Sequence, residues 1–234
     1  MYMDAVTDDR GQQFSALAGI LGERWTCRQF RPDAVPRGDI ERVLALSQRT
    51  PSWCNTQPWQ VIVTEGEGTD RFRRTLQDHV RGGGPVQSDI PFPTQYAGDY
   101  RDRRRACGLQ LYDSVGIEKG DPRALAQMLR NFDFFDAPHV AVITTEADLG
   151  EYGAIDCGLY VNTFLLSAHS LGIATAPQAA LASYSDFLHD YFDIPEHRRI
   201  VLGISFGYAD LEHPINSFRT ERADVTNVAT WIGD

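Results

Sequence analysis

Lysine is almost missing from this sequence. Lys119 stands alone among 22 basic residues, so nearly every cation is a planar guanidinium, suited to forked contacts with phosphate or carboxylate. Long apolar runs are missing too: none approaches the roughly 18 residues of a membrane span, and residues 1–14, with Asp4, Asp8 and Asp9, lack the apolar centre of a signal peptide. Cysteine is sparse, at positions 27, 54, 107 and 157, without a C-x-x-C pair or the Cys/His spacing of a zinc site. The six histidines contain no H-E-x-x-H, so no metal centre is expected. Basic residues are outnumbered by 32 acidic ones, for a formal charge of −10. Such a surface repels phosphate backbones and anionic lipid, so neither a nucleic-acid nor a membrane partner is expected. Together these absences predict a soluble, reduced, cytoplasmic protein.

What is present is enough for a core. The chain has 234 residues, 42% of them hydrophobic, with 12 Phe, 9 Tyr and 4 Trp, which fits one domain. That domain is expected over residues 15–234, after a flexible extension over 1–14. Trp59–Thr64, Val140–Thr145 and Ile200–Phe206 are β-branched runs that predict buried strands. Helical spacing predicts helices over Asp39–Gln48, Arg71–Val80, Tyr100–Ser114, Pro122–Asn131, Ile155–Leu171 and Ser183–Phe192, the last with Ser183 and Asp186 at capping-box spacing. Arg81–Asp99, rich in Gly and Pro, predicts a long irregular loop. Strands separated by helices place the fold in the α/β or α+β class.

Few local patterns carry chemistry on their own. Gly203-Ile204-Ser205-Phe206-Gly207 matches the G-x-S-x-G of serine hydrolases, but no helix follows it, so Ser205 reads as a strand residue. Gly82–Gly84 follows no strand and opens no phosphate-binding helix, and no G-x-G-x-x-G occurs, which argues against a resident dinucleotide. Arg24-Trp25-Thr26-Cys27-Arg28 is more telling. In an extended segment it puts two guanidiniums and a hydroxyl on one face, able to grip an anion. Pro51-Ser52-Trp53-Cys54-Asn55-Thr56-Gln57-Pro58-Trp59 adds a polar loop whose donors and acceptors suit the edge of a flat heterocycle.

In combination these motifs resemble the nitroreductase family of FMN-dependent oxidoreductases. The R-x-T-x-R-x-F pattern, the P-S-x-x-N-x-Q-P-W loop, the apolar helix ending at Leu171-Gly172 before a turn containing Pro177, and the late strand closing on Gly207-Tyr208 occur in family order. The likeness runs from about residue 18 to the end. Arg103-Arg104-Arg105, Arg130–Phe135, Pro177–Ala180 and Thr220-Glu221-Arg222 resemble the branch that reduces nitrobenzoates and other nitroaromatics.

The resemblance implies an α+β, three-layer sandwich, a mainly antiparallel central sheet flanked by helices, and a domain-swapped-like homodimer with two FMN sites at the interface. By position, Arg24 and Arg222 would hold the FMN phosphate beside Trp25 and Thr26, and Arg28 the pyrimidine edge. Pro51, Ser52, Trp53, Asn55 and Gln57 would come from the other subunit, with Asp156 nearby. Pro177, Gln178, Ala179 and Ala180 would cover one flavin face, a backbone N–H of Ala179 or Ala180 aimed at N5. The basic residue usual two positions before Arg222 is Thr220 here, which makes Arg219 the candidate replacement. No side chain is implied as nucleophile. NADPH or NADH would visit in a ping-pong cycle and a small nitroaromatic or quinone-like acceptor would follow, with residues 82–131, among them Arg103 and Arg104, facing it. Phe134 is a further substrate candidate, although the run Phe132, Phe134 and Phe135 reads as core before substrate clamp. The same fold also hosts flavin fragmentation, reductive dehalogenation, enone reduction and flavin binding without turnover, and these stay open at this point.

Overall fold

The three β-branched runs pair edge to edge. In the computed structural model, which describes the backbone of residues 2–233 and the side chains of residues 10–233, strands β1 (Gln60–Thr64), β2 (His139–Glu146), β3 (Ala174–Gln178) and β4 (Arg198–Gly207) form one antiparallel sheet. Its order is β1-β2-β4-β3. Strand β3 lies where the sequence predicts only a turn. Its Pro177 has no N–H to donate, and an edge strand is where that is tolerated.

Helices cover both faces, giving three layers. On one face Ala141, Ile143, Ile204 and Phe206 pack against Ile40 and Val43 of α2 (Arg37–Ser47) and against Cys157, Tyr160, Val161 and Phe164 of α6 (Gly150–Ser170). On the other, Val140, Val142 and Ile200 meet Phe72 and Leu76 of α3 (Glu67–Arg81), Leu188 of α7 (Ser185–Phe192), and Phe132, Phe134 and Phe135. Ile200 and Ile204 would share a face in a regular strand. A bulge separates them: Ile143 pairs with Leu202 but Thr144 with Ile200, so Val201 is extra and Ile200 turns to the opposite core. Ser205 is fully buried within β4 and its hydroxyl donates to the Gln178 side-chain oxygen, so it is a strand residue.

Several helices depart from their expected bounds. Helix α6 starts at Gly150, five residues early, and α7 starts at Ser185, with Tyr184 at the N-cap and no side-chain cap, in place of a Ser183 capping box. Helix α1 (Tyr2–Glu23) runs through the stretch 1–14 expected as an extension, much of whose side-chain structure lies outside the described residues. Helices α4 (Gly98–Asp113) and α5 (Arg123–Leu129) contain no buried residue.

Phe134, a candidate for the acceptor side, sits in the core of this chain. Its side chain is fully buried, 4.7 Å from the Phe72 ring centre, with the Arg73 guanidinium 5.7 Å above it. Phe134, Phe135 and Asp136 hold φ of 58°, 53° and 63°, a left-handed run that costs free energy and needs support. Arg73 supplies part of it, donating to the carbonyls of Asp133 at 3.1 Å and Ala137 at 2.6 Å.

Candidate functional site

The segment after α1 runs extended beside β3. Thr26 forms a parallel bridge with Thr175, and the Cys27 N–H donates to the Thr175 carbonyl at 3.0 Å. Side chains of extended backbone alternate, so Arg24, Thr26 and Arg28 share one face while Cys27 points inward, fully buried. Burial pushes the Cys27 thiol up to about 12, which leaves it inert.

The C-terminal segment returns to the same place. Asn216, almost fully buried, accepts the Arg28 N–H at 2.9 Å and donates to the carbonyls of Gln29 at 2.8 Å and Asp210 at 2.7 Å. It thereby pins residues 216–222 across the arginine segment. Arg219 lies 4.2 Å above the Trp25 ring, and Arg28 lies 5.3 Å from the Phe218 ring centre.

A cavity of about 550 Å³ results, lined by Arg24, Trp25, Thr26, Arg28, Arg219 and Arg222, with Phe218, Thr220 and Cys107. Arg31, Arg37, Arg42, Arg73, Arg123 and Arg130 each pair with a carboxylate, whereas among the described residues the four cavity arginines pair with none. Burial, and for Arg24 the charge of Arg222, hold Arg24 and Arg28 below the usual guanidinium value. Arginine stays protonated regardless. Four cations thus converge in a protein of charge −10; Glu23 also lines the cavity but forms no ion pair with them among the described residues, and an anion relieves the repulsion. A phosphate fits this donor set, because guanidiniums and the Thr26 hydroxyl can surround several oxygens at once.

A second cavity of about 660 Å³ adjoins the first, sharing Cys107, Thr220 and Arg222 and adding Arg103, Arg104, Gln110, Glu221, Ala223 and Val228. Arg103 is tied to Asp99 at 3.2 Å, and Arg104 stacks 4.9 Å above Tyr96. Arg105 does not line it, since successive helical residues diverge.

The polar loop Pro51–Gln57 stands apart from the arginine cavity and lines none of it. It is internally braced: the Gln57 N–H donates to Ser52 Oγ at 2.9 Å, and the Gln57 amide donates to Asn55 Oδ1 at 3.1 Å. Cys54, Asn55 and Gln57 have φ of 48°, 57° and 47°, so the loop is held in a left-handed shape. Asp156 of α6 is 5% exposed, and its carboxylate accepts the Trp53 N–H at 3.0 Å. The Trp53 ring is exposed and rests on Tyr152 with ring centres 4.6 Å apart.

Pro177–Ala180 ends β3, and the parallel direction of the arginine segment carries Arg28 toward that end. Ala179 is exposed. The Gln178 side chain is interior: it is 4% exposed, its amide donates to the Asn131 carbonyl at 2.8 Å, and its oxygen accepts from Ser205. Only the backbone of Gln178 is available to a ligand. The sequence reading missed Asn216, Phe218 and Cys107. Their roles arise from contacts spanning up to 188 residues, which leave no local pattern.

Comparison with known proteins gives a consistent result. The model of the nitroreductase family matches residues 21–208. The 4-nitrobenzoate reductase of Nocardioides sp. (strain LMS-CY) is 34% identical over 229 residues, covering 94% of this chain and 91% of that protein. The 4-nitrobenzoate reductase of Pseudomonas putida is 32% identical, covering 99% of each. The crystal structure of the FMN-dependent nitroreductase NfnB from Mycobacterium smegmatis in complex with NADPH superposes with a TM-score of 0.89 at 32% identity, covering 94% of this chain and all of that one.

Proposed function

This chain belongs to the nitroreductase family, and from that premise we propose that it is an FMN-dependent oxidoreductase that uses NADPH or NADH to reduce nitroaromatic acceptors of the 4-nitrobenzoate kind, with quinone-like compounds as further acceptors. The observation that carries this is the cavity where Arg24, Arg28, Arg219 and Arg222 meet, none of them ion-paired among the described residues. Arg24, Arg219, Arg222 and Thr26 would hold the phosphate, with Arg219 serving where Thr220 offers no charge. Arg28 would face the ring, where a cation would favour an anionic reduced flavin. FMN, when bound, would supply reversible two-electron chemistry between the nicotinamide and the acceptor in two separate half-reactions. The chain positions and encloses; protons for the product come from solvent.

The functional unit in this proposal is a homodimer. Phe14, Leu17 and Leu21 of α1 and Tyr152, Ile155 and Leu159 of α6 leave apolar surface on two helices that pack together, and each is 46–75% exposed. Apolar surface of this extent on adjoining helices supports burial against a second copy. That copy's Pro51, Ser52, Trp53, Asn55 and Gln57 would complete the ring pocket, which accounts for a polar loop so well braced yet remote from the arginine cavity of its own chain. Arg103 and Arg104 border the acceptor side. All four cysteines are free thiols, which supports a reducing, cytoplasmic location. Initial rates measured against NADPH at several fixed 4-nitrobenzoate concentrations should give parallel double-reciprocal lines, from a species of twice the 26.2 kDa chain mass. Intersecting lines would contradict the two separate half-reactions, and an active monomer would contradict the pocket shared between subunits.

A further inference from the structure

The irregular segment 82–97 is fastened to the body of the fold at residues 87–89. The Gln87 N–H donates to the Ser183 carbonyl at 2.9 Å and its carbonyl accepts the Ser185 N–H at 2.8 Å, while the Asp89 N–H donates to Ser185 Oγ at 3.2 Å. The Asp89 carboxylate adds two contacts through Oδ2: it accepts the Ile200 N–H of β4 at 2.7 Å and faces Nε2 of His189 on α7 at 2.9 Å. The other ring nitrogen, Nδ1, faces the Ile194 carbonyl at 2.9 Å. Both neighbours are acceptors. A neutral imidazole has one N–H and can satisfy only one of them, whereas the imidazolium satisfies both. His139 shows the opposite arrangement: Nε2 accepts the Val35 N–H at 3.0 Å while Nδ1 lies 3.2 Å from the Thr64 carbonyl, the pattern of a neutral ring.

We propose that His189 and Asp89 are positioning residues for the acceptor side of the site: the protonated pair latches segment 82–97, and through it α4, so that acceptor binding weakens as the latch loses its proton. Helix α4 buries no residue, so the anchorage of the segment that feeds it governs where Arg103 and Arg104 stand. This rests on the proposed role of α4 beside the acceptor.

Every ionisable group lining the hollow around His189 is a carboxylate: Asp89 from the segment, Asp186 and Asp190 from α7, and Glu196 from the turn before β4. Burial opposes the charged ring, but the Ile194 carbonyl, Asp89 and Asp186 outweigh it, and His189 is raised above its ordinary value. The sign follows. With the folded value above the unfolded one of about 6.5, the latch contributes fully below that pH and is lost as pH climbs through the folded value.

The test is hydrogen exchange on the flavin-loaded protein between about pH 6 and 9, with protection of residues 84–97 corrected for intrinsic exchange rates. In the wild type protection should fall as the pH rises across the range, in step with the loss of the His189 proton. Asp89→Asn and His189→Gln should each abolish that dependence. The KM for 4-nitrobenzoate should rise over the same range while kcat holds. Protection independent of pH in the wild type, an unchanged profile in His189→Gln, or a flat KM beside falling protection would each overturn the latch. Flavin content and reduction by NADPH, read on the same samples, report separately on the catalytic proposal.

Discussion

Replacing Arg222 with alanine should weaken FMN binding by roughly tenfold to 150-fold, because a charge-assisted hydrogen bond contributes about 1.5–3 kcal/mol and each 1.4 kcal/mol is a factor of ten. The side chain is free to serve this role. Among the described residues its hydrogen bonds reach no further than Thr220 and Glu221, at 2.9–3.1 Å, and it has no acidic partner. Its loss therefore removes little from the fold, and by relieving repulsion on Arg24 it should leave the flavin-free protein as stable as before. Arg222→Lys should fall between, retaining charge without the fork. Titration of flavin-free protein with FMN, followed by quenching of flavin fluorescence, measures the affinity of the wild type and of both variants. Unchanged affinity in Arg222→Ala would place the phosphate elsewhere.

Phe134→Ala should destabilise the protein by about 3–5 kcal/mol, the usual cost of emptying a buried phenylalanine site. At roughly 2–4 °C per kcal/mol for a domain of this size, the thermal midpoint drops by on the order of 10 °C. The ring contacts Phe72 and lies beneath Arg73, so the truncation leaves a void on the α3 face of the sheet. Well below the midpoint, FMN affinity and acceptor KM should match the wild type. A preserved midpoint with an altered acceptor KM would return Phe134 to the substrate pocket.

That contrast shows where sequence patterns inform and where they stop. Alternation along Arg24-Trp25-Thr26-Cys27-Arg28 anticipates which side chains share a face, because extended backbone has a fixed period of two. A run such as Phe132-Asp133-Phe134-Phe135 reads as core by its aromatic content, and its three rings are interior, but its left-handed backbone is imposed by distant partners and leaves no pattern in the sequence. The strands β1, β2 and β4 are legible as β-branched runs. Strand β3, Ala-Thr-Ala-Pro-Gln, has one β-branched residue and a proline, and it exists because β4 offers it an edge. The start of α6 is obscured by Gly150 and Gly153, the latter held close to Leu149 and Thr145 where no larger residue fits. Arg219 and Arg222 join Arg24 through the Asn216 clamp and the stacking of Arg219 on Trp25, a long-range arrangement reached from sequence by resemblance and not by pattern.

The central claim is that this chain passes reducing equivalents from a nicotinamide nucleotide to a nitroaromatic through bound FMN. Anaerobic spectroscopy tests it most directly: stoichiometric NADPH should bleach the flavin absorbance of the purified protein, and subsequent 4-nitrobenzoate should restore it with loss of the nitro compound. A flavin that stays oxidised with NADPH, or one that bleaches but is not reoxidised by the nitroaromatic, would contradict the proposed activity.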